Sequence, residues 1–355
     1  MKIKDFYFIN FIMDKKIIGL FFTDLHLSDL TLQVCNDFIT KMCEYIQKNN
    51  IKRVFFGGDF FEFRKGLTQD TLIFAKDIFE KLSKLDIQTY FLVGNHDKAN
   101  PLIQKSYLTP FNQYFNFLFD EVTKIGIEAE SYKFFFLPYY EGDKLKEELN
   151  KLQFLVEEEQ NKGGREFVKF ILVGHVMYEQ IPVDISKNLD LILLGHFHDL
   201  QEFPKGKYIG SCYQQNFAED KYKGWTILYS DLSNKQVKFN SKEYIVQSID
   251  LNCFTEEKAK EFILEFKNKY KDKYLRLEFV GFNKDISTLK DFCKLNGVDC
   301  ISKIQILSND EEKGEQITIS TLSQEQILNY YNQFKENQTY SEEVDKILSN
   351  FLFEN

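Results

Sequence analysis

Short apolar runs recur along the first half of the chain, each ending in a glycine or a polar turn. They are IIGLFF before Thr23, RVFFGG before Asp59, TYFLVGN before His96, KFILVGH ending at His175 and DLILLGH ending at His196. Runs this short, rich in Ile, Val and Phe, predict strands buried on both faces. Between them the apolar period lengthens to that of a helix. Leu32, Cys35, Ile39 and Ile46 share one face of residues 31–49, and Leu72, Ala75, Ile78, Phe79 and Leu82 share one face of residues 68–84. Strand alternating with helix predicts an α/β domain whose functional residues sit on loops at the carboxyl ends of the strands.

From Ile209 to Tyr244 the pattern turns to β, in YIGSCYQ, GWTILYSD and KQVKFN. A change of character follows. Residues 255–271 predict a helix, KYLRLEFVG a strand, STLKDFCKLNG a helix and ISKIQIL a strand, a small α+β unit. The polar stretch SNDEEKGEQ reads as a linker. Ser323 with Gln326 forms a capping-box pattern opening a helix with Ile327, Tyr331 and Phe334 on one side. Ser341 opens a second, with Val344, Ile347, Leu348 and Phe351 on its apolar side. The expected organisation is a core over 1–245, a cap over 246–308 and a helical pair over 317–355.

With 355 residues, 43% of them hydrophobic, the chain is globular and long for one domain. A net charge of −9 excludes a uniformly basic nucleic-acid coat, though not a local groove made positive by bound metal ions. The six cysteines form no CxxC pair, the pattern of reduced thiols in an intracellular protein. Asp5, Asn10 and Asp14 interrupt the opening MKIKDFYFINFIMDKK, which argues against a signal peptide. No apolar run approaches the ~20 residues that span a bilayer. The expectation is a cytoplasmic chain without a membrane partner.

The strand ends carry the chemistry: TDLHL (Asp24, His26), GGDFFEF (Asp59), GNHD (Asn95, His96, Asp97), GH (His175) and GHFH (His196, His198). All five histidines of the chain lie in these loops. Singly, each residue has an ordinary reading: Asp59 as a helix cap, Asn95 as a turn former, Asp97 as an N-cap toward Pro101. Confinement of every histidine to strand-end loops outweighs those readings. Imidazole, carboxylate and amide oxygen together suit Mn, Fe or Zn. Asp24, His26, Asp59, Asn95, His175, His196 and His198 are too many ligands for one tetrahedral ion. They suit two ions sharing a carboxylate, the usual clamp for hydrolysing phosphate esters. His196 and His198, alternating along an extended segment, reach the same face. His96 is left over as a general acid, with Asp97 beside it to orient it.

The series DLH, GD, GNHD, GH, GHFH resembles the calcineurin-like metallophosphoesterase superfamily over roughly residues 15–245. That resemblance implies an α/β/β/α two-sheet sandwich, followed here by the α+β cap and the C-terminal helices. It implies one ion on Asp24, His26, Asp59 and His198, a second on bridging Asp59, Asn95, His175 and His196, and His96 as the acid. Within the superfamily, FFLPYYEGDKLKEEL, YIGSCYQQNFAEDKYKGW and the layout of cap and helices look like the SbcD nucleases of double-strand-break repair, including the recombination nucleases of T-even phages. Two features depart from that pattern: Glu62 stands where archaeal and eukaryotic members carry histidine, and Cys212 where proline is common. The likeness implies a manganese-dependent DNA phosphodiesterase, 3′-to-5′ on duplex ends and endonucleolytic on single strands. Its implied partners are an SbcC-type ATPase, gripped by the C-terminal helices, and a second copy. KNKYKDKYLRLEF could track DNA phosphates, or simply be a solvated helix end. The competing expectations are a small-molecule phosphodiesterase, for which the residues after the core are superfluous, and a non-catalytic scaffold, which the complete ligand set disfavours.

Overall fold

The computed structural model describes residues 15–128, 131–162, 167–281 and 286–304. The expected linker and C-terminal helices lie outside the described residues. The chain divides into two compact units between Tyr244 and Ile245, each taken here by itself.

In the first unit, β1 (Ile17–Phe22), β2 (Arg53–Phe56), β3 (Gln88–Leu92) and β4 (Phe117–Phe119) are interleaved with α1 (Leu32–Lys48) and α2 (Gln69–Ser83). Next come β5 (Thr123–Ile127), β6 (Tyr132–Leu137), β7 (Lys169–Gly174) and β8 (Leu191–Leu194), with α3 (Gly142–Asn161) and the one-turn α4 (Val183–Ser186) between them. β9 (Gln201–Phe203), β10 (Gly206–Tyr208), β11 (Gly224–Tyr229) and β12 (Asn234–Lys238) complete it. One sheet has the order β12-β11-β1-β2-β3-β4, the other β5-β6-β7-β8-β10-β9. β1 to β4 run parallel in the first, and β6, β7, β8 and β10 in the second. Parallel strands deliver their carboxyl ends to one edge, which is why scattered loops can meet.

The continuous apolar runs are explained by burial of both strand faces. Phe21, Phe55, Phe134, Phe136, Ile171, Val173 and Leu193 point between the sheets. Their neighbours Leu20, Phe22, Val54 and Phe56 face the layer of α1 and α2, and Phe135, Leu137, Leu172 and Leu194 face α3. The architecture is therefore α/β/β/α. At its centre Phe55 stacks on Phe21 at 4.4 Å, Tyr90 at 4.6 Å and Phe134 at 5.0 Å, joining the two sheets.

Two sequence expectations shift. Leu72, placed on the inner face of α2, is 39% exposed, and Thr71 is buried instead. The N-cap sets that rotation: the Thr68 side chain accepts from Thr71 N, and Thr71 Oγ1 donates to Asp29 at 2.8 Å. Of YIGSCYQ, only Tyr208 lies in a strand. Gly210, at φ +73°, bends the chain, Ser211 N donates to His198 O, and the Tyr213 hydroxyl donates to Leu25 O. The segment lies along the strand-end loops rather than in a sheet.

In the second unit, β13 (Tyr244–Asp250), β14 (Tyr274–Gly281) and β15 (Asp299–Ile304) form a three-stranded sheet with β14 in the middle. α5 (Glu256–Lys269) and α6 (Ser287–Leu295) contribute Ala259, Ile263, Phe266, Leu289 and Cys293 to one core with Leu275, Leu277 and Phe279. It is an α+β unit.

Phe55→Ala removes the ring that the inter-sheet stack is built on. It should lower the stability of the first unit by roughly 3–5 kcal/mol, read as an earlier denaturant midpoint in near-ultraviolet circular dichroism.

Candidate dimetal centre

Beyond their strands, β1 and β2 continue side by side: Asp24 N donates to Gly58 O at 2.9 Å, His26 N to Asp59 O at 3.2 Å and Leu27 N to Phe60 O at 2.8 Å. The first two loops are thus zipped together. Tyr139 N donating to Val93 O at 3.0 Å links the strand ends of the two sheets. Asp24, His26, Asp59 and His196 all adopt positive φ, between 49° and 85°. Left-handed backbone costs a non-glycine residue roughly 1–2 kcal/mol, and its concentration here marks a site whose side-chain directions are imposed by the fold. Gly94 is needed for close approach: a Cβ there would run into Asp59 N and its carboxylate.

The ligand residues read from the sequence converge in two groups, and His26 belongs also to a third with Glu62 and His96. Asp24, His26 and His198 form the first; Asp59, His175 and His196 form the second. His26 Nε2 and His198 Nε2 lie 3.1 Å apart, each 3.8 Å from Asp24 Oδ1. Asp59 Oδ2 stands between the groups, 3.7 Å from His26 Nε2 and 3.2 Å from His175 Nε2. Asn95 joins the second group, its amide oxygen 2.8 Å from His175 Nε2 and 3.1 Å from His196 Nδ1. All seven residues read as ligands from the sequence are therefore brought together.

The geometry fits divalent ions. Lone-pair atoms face lone-pair atoms at both groups, an arrangement that needs a cation or a proton between them. The Asn95 amide suits either case. Rotated nitrogen-inward, its two N–H groups can serve two of the three acceptors His175 Nε2, His196 Nδ1 and Asp59 Oδ2, at 2.8, 3.1 and 3.0 Å; oxygen-inward, it supplies another donor atom to an ion. Two far ring nitrogens are hydrogen-bonded, His175 Nδ1 to Gly57 O at 2.7 Å and His198 Nδ1 to Glu219 at 2.8 Å, while His26 Nδ1 makes a charge contact with Glu62 at 2.7 Å without hydrogen-bond geometry. Such partners fix the ring orientation and the tautomer.

Charge tells the same story. Burial would raise the Asp59 carboxyl, but the charge and hydrogen bond of His175 hold it far below the usual range. Burial likewise opposes protonation of His26, yet the neighbouring carboxylates of Asp24, Glu62 and Asp59 lift it to about 10. His175 rises to about 9 against its burial, chiefly through the charge of Asp59. His196 falls to about 4, by burial and then by the charge of His175. Without ions, then, protons on two imidazoles balance the carboxylates.

Asp97 departs from its expected role. Fully buried, it accepts from Asp59 N and Gly94 N on one oxygen and from Phe60 N and Phe61 N on the other, at 2.8–3.1 Å. Those four amides occupy it, so it shapes the loops and does not orient His96. His96 is steered by the Glu62 carbonyl at its Nδ1 and by its own amide, which donates to Asp59 Oδ1 at 2.7 Å. Burial and the charge of Asp59 raise Asp97 to about 6.

The sequence reading did not assign Glu62, Arg64, Glu219 or Lys223 to the site. Glu62 and Arg64 line a cleft of about 480 Å³ with His96 and members of both groups. Glu219 lies in the segment YIGSCYQQNFAEDKYKGW, where nothing in the local pattern marks it out. Buried Lys223 reaches His198 O at 2.6 Å, Asp199 at 2.7 Å and Glu219 at 3.2 Å, locking the loop that holds His198.

Residues 20–200 match the calcineurin-like phosphoesterase family. The chain belongs to that family. Exonuclease subunit 1 of Enterobacteria phage T4 is 26% identical over 183 residues, 49% of this chain and 52% of that protein. The DNA double-strand break repair protein Mre11 of Methanocaldococcus jannaschii is 27% identical over 193 residues, 50% of each chain. This phosphoesterase chain thus spans about half the length of the curated relatives it matches. A solved dimetal phosphatase from Danio rerio aligns at a TM-score of 0.42 and 10% identity, over 60% of this chain and 93% of its own; at that score it carries no argument. As a calcineurin-like phosphoesterase, the chain is a metal-dependent enzyme with candidate ligand groups in place. Among the described residues, no helix is long and apolar enough to cross a membrane.

Two measurements follow. Ions entering the two groups must displace the protons on His26 and His175. Because both imidazoles titrate above neutrality, metal uptake at pH 7 should release roughly two protons and tighten as pH rises toward 9–10. Titration calorimetry in buffers of different ionisation enthalpy reads the release; heats independent of the buffer would contradict it. Glu219→Gln should weaken binding at the His198 group by roughly 10–100-fold and spare the other, seen as loss of one step of a two-step isotherm.

Proposed function

We propose that the chain is a two-metal phosphodiesterase acting on DNA, with manganese as the working ion. The observation that carries this reading is the placement of Asp59 Oδ2 between two ligand groups. All seven ligand roles rest on it. Asp24, His26 and His198 with Asp59 would hold one ion, and Asn95, His175 and His196 with Asp59 the other. Bound there, divalent ions lower the pKa of water and neutralise phosphoryl oxygens.

The chain's own residues do the rest. His96 has Nδ1 turned to the Glu62 carbonyl, which leaves Nε2 for the substrate. As water adds to phosphorus, the bond from phosphorus to the 3′-oxygen breaks, and His96 Nε2 gives its proton to that oxygen. Arg64, exposed on the wall of the cleft, offers a guanidinium to a phosphate oxygen. Asp97 keeps the Asp59 and Asn95 loops in register and touches no reacting atom.

The names of the two curated relatives support a nuclease in repair or recombination, an SbcD-like subunit with 3′-to-5′ exonuclease and single-strand endonuclease activity. The same likeness supports an SbcC-type ATPase partner engaged through residues 317–355, and a cytoplasmic setting. That likeness also supports a homodimer.

His96→Ala should cut labelled DNA with manganese roughly 10²–10⁴-fold more slowly while binding the same amount of metal. Cutting at the wild-type rate would remove His96 from the reaction, and absence of cutting by the wild type, with the ATPase supplied, would remove DNA.

A further inference from the structure

Between the two histidines of GHFH stands Phe197, whose side chain is 42% exposed beside a strongly polar centre. It is not a loose ring. Its centroid lies 4.7 Å from Tyr208 at an interplanar angle of 67°, and 5.7 Å from His196 at 75°. Tyr208 is itself buried, edge-on to Phe203 at 5.2 Å, and its hydroxyl accepts from Tyr178 N at 2.6 Å. The ring is braced from behind and at one edge while much of it stays in solvent.

Phe197 helps line a second cleft, of about 580 Å³, with Leu200, Gln201, Asn216 and Ala218. His196, His198 and Asn216 line both this cleft and that of the dimetal centre, so the two are continuous. Charge separates their tasks. Asp199 and Glu219 in the second cleft are tied to Lys223 and leave, among the described residues, no free cation there for a phosphate, whereas Arg64 lines only the first. Apolar surface, an aromatic ring and the exposed amide of Gln201 are the surroundings of a nucleobase. A volume of several hundred Å³ is ample for one.

We propose that this cleft is a nucleobase subsite, with Phe197 as its stacking platform for the nucleotide whose 5′-phosphate sits at the dimetal centre. The proposal rests on the phosphodiesterase reading and specifies its substrate. A base can reach Phe197 only when it has left its neighbours in the duplex, so the reacting nucleotide lies in a single strand or at a frayed end.

The test compares deoxyadenosine 5′-monophosphate with deoxyribose 5-phosphate, binding each to the manganese-loaded full chain by calorimetry. Hydrolysis of methyl 4-nitrophenyl phosphate, whose only ring departs with the leaving group, is measured in parallel. The nucleotide should bind roughly 10–100-fold more tightly than the sugar phosphate, as expected for one stacked base. Phe197→Ala and Phe197→Leu should abolish that advantage, Phe197→Trp should keep it, and all three should hydrolyse the base-free diester at close to the wild-type rate. Equal affinity of the wild type for the two ligands, or an advantage that survives Phe197→Ala, overturns the subsite. Failure of the wild type to hydrolyse the diester would instead count against the phosphodiesterase reading.

Discussion

Burial of carboxylates is the constraint to which the rest of this structure answers. Asp24, Asp59 and Asp97 are at most 2% exposed, within a frame of apolar strands. An ion moved into such surroundings costs several kcal/mol unless it is compensated. Each of the three is compensated differently. Asp97 takes four backbone amides and is pushed toward neutrality. Asp24 accepts from His196 N and, despite its burial, is held below the usual carboxylate range by His26, His175 and His198. Asp59 has the amide of His96 on one oxygen and imidazoles around the other. The residual demand for positive charge is concentrated at Asp59 Oδ2, where two dications would meet it.

The surrounding fold holds that demand in one place. The loops carrying the ligands are continuations of parallel strands, and the Phe55 stack holds the two sheets against each other. Loop backbone is bonded to loop backbone across β1 and β2, and across the sheets at Val93 and Tyr139. Four site residues sit in left-handed backbone, a conformation that persists only where the surroundings over-determine it. Anchors at the far ring nitrogens complete the arrangement, so the imidazoles are aimed before any ion arrives.

Much of this was legible in the sequence because two periodic signals coincide. Glycine-bounded apolar runs mark parallel strands, and parallel strands send their carboxyl ends to one edge, so His26 and His198 could be assigned to one site across 172 residues, while their sharing of one ion was implied by the family resemblance. What escaped was whatever depends on that path. Glu219 meets His198 only because Gly210 turns the chain back and Lys223 ties the returning loop down. Asp97 looked like a partner for its neighbour His96, but adjacency in sequence did not decide where its carboxylate points. Leu72 fitted the helical period, yet capping contacts from Asp29 and Thr68 turn Thr71 inward in its place. Periodicity locates elements; long-range hydrogen bonds choose rotations and partners.

The same bookkeeping bears on how an acidic chain could engage a polyanion. At physiological salt, charges beyond about 8 Å are largely screened, so the net −9 matters less than the charge inside the cleft. Two dications bring four positive charges and displace roughly two protons, a gain of about two at the point where a phosphate must sit. The neighbouring cleft keeps its carboxylates and its aromatic ring. Metal loading therefore makes the two ends of the groove unlike, attractive to phosphate near Arg64 and to an uncharged aromatic base near Phe197. For the proposed substrate this gives one favourable orientation, with the leaving 3′-oxygen of the preceding nucleotide directed away from the base cleft and toward the side of His96.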